Sequence, residues 1–223
     1  MNLRLVVFDV DGTLVDSQGD IVASMTEAFD TVGHALPARA QVVSTIGMSL
    51  HAAMARLAPG TDAHGVDALV SAYKQSYVRR RAEAGSQHSS PLFPGARDVL
   101  DRLHAQPETL LAVATGKSRR GLRLLIDGHG LHGLFQSQQC ADDHPSKPHP
   151  SMLLTALAET GVAASDAVMV GDTTYDRDMA AAAGVPFVGV SWGYHPATDL
   201  GSAVIDGFSA LPDTLTEIWS NRG

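Results

Sequence analysis

The chain has 223 residues, a mass of 23.4 kDa and a net charge of −8 at pH 7. This length allows one large domain or a core with an insertion, and 44% hydrophobic residues can build a sizeable core. An acidic chain without a basic stripe is not expected to bind nucleic acid. The single cysteine, Cys140, excludes an internal disulfide and a cysteine-cluster metal site. Residues 1–8 show no basic leader and no apolar stretch approaches 18 residues, so we expect a cytoplasmic, soluble protein.

The first predicted element is a buried strand over Leu3–Phe8, which ends directly in Asp9 and Asp11 and a turn at Gly12. Side chains two residues apart in an extended segment point the same way, so the two carboxylates should converge. At a separation of about 4 Å they would repel by roughly 4 kcal/mol at an effective dielectric near 20. We therefore expect a cation, a proton or a transferred group between them. The weaker interpretation is that Asp11 and Gly12 are simply turn residues.

Residues 16–91 show helical periodicity and no convincing strand. Apolar positions repeat at helical spacing over 21–32, 50–57 and 66–78, and the first of these segments stops at Gly33. Residues 86–94 are rich in Ser, Pro and Gly, which predicts a return linker. The basic run Arg79–Arg81 is interpreted as a solvated helix face.

Three more apolar runs predict strands in the second half of the chain, at Leu110–Ala114, Ala167–Val170 and Phe187–Val190. Each is followed by a loop and, in most cases, by a helical pattern, which is typical of a doubly wound α/β sheet. In such sheets ligands bind outside the carboxyl ends of the strands. The further candidate catalytic residues are expected to fall just after these runs.

These candidates suit phosphate and a hard cation. Thr115 with Gly116 offers a hydroxyl and backbone N–H groups at a strand end, and Lys147, fixed before a proline, is a point charge suited to phosphate. Asp172 and Asp176 are spaced so that both could face one site, although Asp176 could also be a simple helix-start residue. An oxygen-rich set of carboxylates selects Mg²⁺.

The four segments, in this order and over essentially the whole chain, resemble the haloacid dehalogenase superfamily, and Thr115-Gly116-Lys117 is similar to its phosphoglycolate phosphatase branch. The resemblance implies that Asp9 is the nucleophile and Asp11 the general acid/base. The implied phosphate-binding residues are Gly12, Thr115, Gly116, Lys117 and Lys147, with Thr115 and Lys147 also counted as catalytic. The implied metal ligands are the Asp9 carboxylate, the Asp11 backbone carbonyl, the Asp172 carboxylate and, through water, Asp176.

The same resemblance implies a Rossmann-like core formed by residues 1–15 and 92–223, with an all-helical cap over residues 16–91. The implied activity is a Mg²⁺-dependent phosphatase that hydrolyses a small, phosphoglycolate-like phosphorylated metabolite through an aspartyl phosphate. No nucleic acid or membrane partner is expected, and the protein is expected to be a monomer or a homodimer. A pyrophosphatase, a phosphosugar mutase of the β-phosphoglucomutase type and a non-catalytic binding protein remain as alternatives.

The residues that would select the substrate are less well marked. Residues 45–48 resemble the cap loop that reaches the active site in relatives. Arg119 and Arg120 could recognise a substrate carboxylate, but an exposed helix position is the preferred interpretation. His149 could touch the site, but a structural role is the preferred interpretation, since the ten histidines are scattered and lack ligand spacing.

Overall fold

The computed structural model describes residues 3–84 and 86–220. Within them, parallel strands form one six-stranded sheet in the order β3-β2-β1-β4-β5-β6. The strands are β1 (Arg4–Phe8), β2 (Thr109–Thr115), β3 (Phe135–Cys140), β4 (Ala167–Gly171), β5 (Phe187–Val190) and β6 (Val204–Ile205). The doubly wound α/β prediction is confirmed, although β3 and β6 were not predicted. Residues 1, 2, 85 and 221–223, which the predicted domain ranges include, lie outside the described residues.

A helical insertion, defined here as Gln18–Ser89, lies between β1 and β2. Its helices are α1 (Gln18–Val32), α2 (Arg39–Val43), α3 (Leu50–Leu57), α4 (Ala63–Ala84) and α5 (Ser86–Ser89). As predicted, α1 ends at Gly33, which adopts the left-handed conformation with φ of 76°. The sequence did not predict α2. It was also wrong in part about residues 86–94, because α5 makes the start of that linker helical.

The remaining helices cover the two faces of the sheet. They are α6 (Ala96–His104), α7 (Arg119–His129), α8 (Ser151–Thr160), α9 (Thr174–Ala182) and α10 (Leu211–Ser220). Alternation along β1 sends Val6 and Phe8 into the apolar cluster that includes residues of α6, α7 and α10. It sends Leu5 and Val7 into the cluster on the other face, which includes residues of α8 and α9. No helix within the described residues has the length and apolar character that a membrane crossing requires.

The carboxyl edge of the sheet is where the insertion leaves and rejoins the chain. The Asp16 N–H donates to the Pro91 carbonyl at 2.9 Å, and Val15 forms an antiparallel bridge with Leu92. The two connections therefore run side by side. Asp9 follows β1, Thr115 closes β2 and Asp172 follows β4, so the topology brings these three residues to one edge.

Candidate active site

Asp9 lies at the centre of this edge and is 1% exposed. Because β1 ends at Phe8, Asp9 is the first residue beyond the strand, and its N–H donates to the Val170 carbonyl at 2.9 Å. Its Oδ1 lies 2.8 Å from the Lys147 Nζ, while its Oδ2 is buried with no hydrogen-bond partner among the described residues. Burial raises the pKa of Asp9 to about 7; the Lys147 ammonium opposes this rise and Asp176 adds to it.

Lys147 comes from the loop between β3 and α8 and is fully buried. Its Nζ also donates to Asp176 Oδ1 at 2.6 Å. Burial by itself lowers the pKa of Lys147, but the Asp176 and Asp9 carboxylates outweigh it and raise that pKa above its ordinary value. The sequence prediction that Lys147 and Asp9 form a pair therefore agrees with their contact.

Asp172 and Asp176 are held in place by backbone and hydroxyl groups. Asp172 Oδ1 accepts from the Thr13 hydroxyl at 2.8 Å, and its Oδ2 accepts from the Tyr194 N–H at 2.9 Å. Asp176 belongs to the capping box of α9, in which the Thr173 N–H and hydroxyl both donate to Asp176 Oδ2. Burial raises the pKa of Asp172 well above its usual range, and the Asp9 and Asp176 carboxylates reinforce the rise.

The carboxylates of Asp9, Asp172 and Asp176 can present one oxygen each within 4.8 Å of one another, and all three residues are buried. In the part of the chain that the structure describes, one ammonium, that of Lys147, is in direct contact with them. Three buried carboxylates and an Asp9 oxygen without a partner fit a hard divalent cation, which oxygen ligands prefer. The Asp11 carboxylate lies outside this group.

Asp11 instead forms a second ion pair. Its Oδ1 lies 2.9 Å from the Lys117 Nζ and accepts from the Ser17 hydroxyl at 2.5 Å. Lys117 also donates to the hydroxyl of Tyr77 in α4 at 3.2 Å, so the helical insertion contacts this ion pair through Tyr77. The expected convergence of Asp9 and Asp11 is met in part: Asp11 is near enough to raise the pKa of Asp9, but its carboxylate lies outside the three-carboxylate group. Strand alternation stops at Phe8, and each carboxylate has its own lysine.

Two glycines allow the close approaches that the site needs. Gly12 has a φ of 88°, and a Cβ there would lie 2.2 Å from Asp172 Oδ2. A Cβ on Gly116 would lie 2.5 Å from the Met48 carbonyl oxygen, in the loop that connects α2 with α3. Thr115 is buried next to Gly116, and its Oγ1 accepts from the Lys117 N–H at 3.2 Å.

Several residues considered in the sequence lie away from this centre. Arg119 is exposed and pairs with Asp143, and Arg120 is also exposed. His149 is exposed and accepts from the Ser151 N–H at the start of α8. These positions agree with the interpretations preferred in the sequence.

Thr13, Ser17 and Tyr77 were not singled out in the sequence, but they bind the candidate carboxylates or Lys117. Residues 192–194 were expected to border the cleft, and the Tyr194 N–H donates to Asp172. Thr13 and Ser17 could have been found, because both are hydroxyl residues within the acidic segment that follows β1. Arg81 is also buried, against the prediction of a solvated face for Arg79–Arg81, and lies next to Tyr77.

The fold and the site together define a Rossmann-like α/β enzyme with a buried acidic centre that suits a metal ion. The chain belongs to the haloacid dehalogenase-like hydrolase family, whose model matches residues 6–190. This confirms both the resemblance and the expectation of an enzyme.

Individual relatives support the same assignment. The chain is 37% identical to "Probable phosphatase IndB" of Dickeya dadantii over 93% of this chain and 91% of that protein. It is 34% identical to a protein of Pseudomonas fluorescens named phosphoglycolate phosphatase, over 86% of this chain and 71% of that one. Among solved structures, a hydrolase from Pseudomonas syringae is similar with a TM-score of 0.84 and 25% identity, covering 96% of this chain and 99% of the other.

Proposed function

We propose that this protein is a Mg²⁺-dependent phosphatase that hydrolyses small phosphorylated metabolites through an aspartyl phosphate on Asp9. The observation that carries the proposal is the Asp9 carboxylate itself, which is buried at the edge of the sheet with one oxygen free of hydrogen bonds. A carboxylate in this condition is available as a nucleophile or as a metal ligand. The names of the relatives in Dickeya dadantii and Pseudomonas fluorescens support the phosphatase class.

In the proposed reaction an Asp9 carboxylate oxygen attacks phosphorus, and the bond from phosphorus to the alcohol oxygen breaks. Asp11 protonates that oxygen and then takes a proton from the water that hydrolyses the aspartyl phosphate. The contacts of Asp11 with Lys117 and Ser17 support this role, because they would hold its carboxyl group in one orientation. Protonated Asp11 would lose its ion pair with Lys117, so proton transfer and release of that lysine are coupled.

The remaining groups stabilise charge. Lys147 carries a buried positive charge beside Asp9, where the phosphoryl oxygens would lie, and Asp176 holds that ammonium in position. Thr115, with the Gly116 and Gly12 backbone, would bind the phosphoryl oxygens by hydrogen bonds. Mg²⁺, held by the Asp9 and Asp172 carboxylates and the Asp11 carbonyl, with Asp176 acting through water, would neutralise charge on the transferred group.

The proposal is tested with p-nitrophenyl phosphate and acetyl phosphate, first with Mg²⁺ and then with excess EDTA. We expect turnover that EDTA abolishes and fresh Mg²⁺ restores. Asp9→Asn should reduce turnover by about 10³-fold or more, because the amide is a poor nucleophile. Asp178→Asn is the matched control, because Asp178 lies in α9, exposed and paired with Arg177, and should leave turnover unchanged.

Two outcomes would contradict the proposal. Absence of turnover on any phosphate ester would favour a non-catalytic binding protein, and turnover unaffected by chelation would remove the metal from the mechanism. A panel of phosphorylated metabolites that includes pyrophosphate separates a phosphatase from a pyrophosphatase by the ratio of kcat/KM values.

A further inference from the structure

Arg81 differs from its neighbours on α4. Arg79 is exposed and pairs with Glu27, and Arg80 lies 3.8 Å from the same carboxylate. Arg81 is only 6% exposed. Its Nη1 donates to the Tyr77 hydroxyl at 3.4 Å, while its Nε and Nη2 are buried without a hydrogen-bond partner. No carboxylate among the described residues lies within ion-pair distance of Arg81.

This guanidinium is connected to the candidate active site through two contacts. The Tyr77 hydroxyl that accepts from Arg81 also accepts from Lys117, and Lys117 contacts Asp11. Tyr73 stacks on Tyr77 with ring centroids 5.7 Å apart, so the aromatic pair forms one wall of the region. Arg81 is therefore linked through Tyr77 and Lys117 to Asp11, the residue proposed to protonate the leaving alcohol, and its charge also acts on His129 at the end of α7.

An unpaired buried guanidinium is costly, since arginine cannot lose its proton to escape the cost of burial. Of the two cations that contact Tyr77, Lys117 is paired with the Asp11 carboxylate, whereas Arg81 has no carboxylate partner among the described residues. The Tyr77 ring, 5.8 Å from the guanidinium carbon, can stabilise the face of the cation but leaves its N–H edge unsatisfied. That edge is a planar fork, which matches the two oxygens of a carboxylate or phosphate.

We propose that Arg81, flanked by Tyr77 and Lys117, forms an anion subsite that binds a second negatively charged group on the alcohol part of the substrate. The subsite deepens the proposed function and rests on it for its location beside the reacting phosphate. It selects phosphomonoesters that carry a carboxylate or a second phosphate over those with a neutral alcohol. Arg81 is then a specificity-determining residue contributed by the helical insertion.

The test compares three substrates that differ mainly in this group: 2-phosphoglycolate, the bisphosphate of ethane-1,2-diol, and 2-hydroxyethyl phosphate, which is neutral at that end. We expect the wild-type protein to prefer at least one charged substrate by about 10-fold or more in kcat/KM. Arg81→Met should lower kcat/KM for that substrate by about 10- to 100-fold, mainly by raising KM. A loss of this size is usual when a hydrogen bond to a charged group is removed. The value for 2-hydroxyethyl phosphate should stay within about threefold.

Two variants separate recognition from structure. Arg81→Lys keeps the charge and should recover part of the lost kcat/KM. Arg79→Met removes the same charge from the same helix at an exposed position and should change none of the three values. Whether the carboxylate or the bisphosphate substrate responds to Arg81→Met identifies the anion that the subsite accepts.

Binding is measured separately so that the subsite can be judged apart from turnover. In the Asp9→Asn background, calorimetry should show that Arg81→Met weakens the binding of 2-phosphoglycolate or of the bisphosphate, but not the binding of 2-hydroxyethyl phosphate. This measurement remains informative if the wild-type protein hydrolyses none of them, which would contradict the proposed function alone. Equal effects of Arg81→Met on charged and neutral ligands would overturn the subsite. A wild-type protein without a preference for charged ligands in either assay would also overturn it, and that result does not depend on whether Arg81→Met folds.

Discussion

Asp9, Asp172 and Asp176 place three carboxylates around the single ammonium of Lys147. Like charges about 4 Å apart repel by roughly 4 kcal/mol at an effective dielectric near 20, and burial adds a desolvation cost. Without a cation, this centre therefore works against folding whenever all three groups are ionised. The raised pKa of Asp9 and of Asp172 expresses that cost.

The pH dependence of stability tests this crowding at Asp9. In the folded, metal-free protein the pKa of Asp9 is raised from 3.8 to about 7, so between these pH values the folded state holds a proton that the unfolded state has released. Asp9 should therefore destabilise the fold by an amount that grows by about 1.4 kcal/mol per pH unit across this window and then levels off. Asp9→Asn removes the effect.

The measurement is thermal unfolding in EDTA at several pH values for the wild-type protein and Asp9→Asn. We expect the variant to gain in Tm over the wild type as the pH rises from about 4 to about 7. Taking the difference cancels titrating groups that Asp9 does not influence, such as His129 and His195, whose pKa values are lowered by burial. Asp178→Asn should show a constant difference, and a constant difference for Asp9→Asn as well would contradict the crowding argument.

For individual residues, the sequence correctly predicted that the candidate carboxylates and Lys147 meet at one edge of the sheet. Each lies at or near the carboxyl end of a strand, and parallel topology brings those ends together. The sequence could not predict the partner of each group, since that depends on loop geometry beyond Phe8. The burial of Arg81 was missed because basic residues on a helix are usually exposed. A signal existed nonetheless: Tyr73, Tyr77 and Arg81 are spaced by four residues and so share one helix face.

Among the elements, the loop between α2 and α3 packs tightly against the candidate phosphate-binding segment at Gly116. The carbonyl oxygens of Gly47 and Met48 would lie 2.7 and 2.5 Å from a Cβ at Gly116. Nearby, the Ser49 N–H donates to the Ser146 hydroxyl at 2.8 Å, and the Tyr175 hydroxyl donates to the Ser44 carbonyl at 2.9 Å. The insertion thus packs directly on the segments that carry Lys117 and Lys147.

Gly116→Ala should interfere with this packing without harming the core. Gly116 does not have a positive φ, so alanine is compatible with its backbone, but the new methyl group would collide with backbone atoms that cannot turn away. We expect the loop to be displaced at a cost of about 1–3 kcal/mol, and therefore a loss of kcat/KM of about 10-fold or more together with a fall in Tm of a few degrees. Steady-state kinetics with p-nitrophenyl phosphate and thermal unfolding check both halves of the prediction.

Gly19→Ala is the matched control, because a Cβ at this position in α1 meets no atom within 4 Å. It should leave kcat/KM unchanged and stabilise slightly, as alanine favours a helix over glycine. Equal kinetics for Gly116→Ala and the wild type would mean that the close packing of this loop is not needed for turnover.

The elements that the sequence missed have identifiable physical reasons. The strand β3 reads Phe-Gln-Ser-Gln-Gln-Cys and lies at the edge of the sheet, so it lacks the apolar run that marks the central strands. Gln139 and Ser137 are nevertheless buried, and they bond to each other at 2.8 Å. The strand β6 has two residues, which is too short for any periodicity. The central strands β1, β2, β4 and β5 were found because both faces of each are covered.

On the scale of the whole molecule, the apolar packing of the described residues is divided into three clusters. Two lie on opposite faces of the sheet, and the third lies within the insertion around Phe29, Met54 and Leu69. The candidate metal ligands all come from the sheet side of this division. A bound cation should consequently stabilise the sheet core directly and the insertion only through the contacts described above.

This division predicts how Mg²⁺ affects unfolding. The two tryptophans of the chain, Trp192 and Trp219, both pack against the sheet cluster that contains Phe8, so their fluorescence reports on the core. A ligand that binds only the folded state at 100 times its Kd stabilises it by about 2.7 kcal/mol. We expect Mg²⁺ to raise the fluorescence-detected Tm in a concentration-dependent manner.

Asp172→Asn should remove most of this rise, whereas the exposed Asp178→Asn should retain it. An equal rise in both variants would place the cation away from Asp172, and no rise in the wild type would show that the three carboxylates do not bind Mg²⁺ in the folded protein.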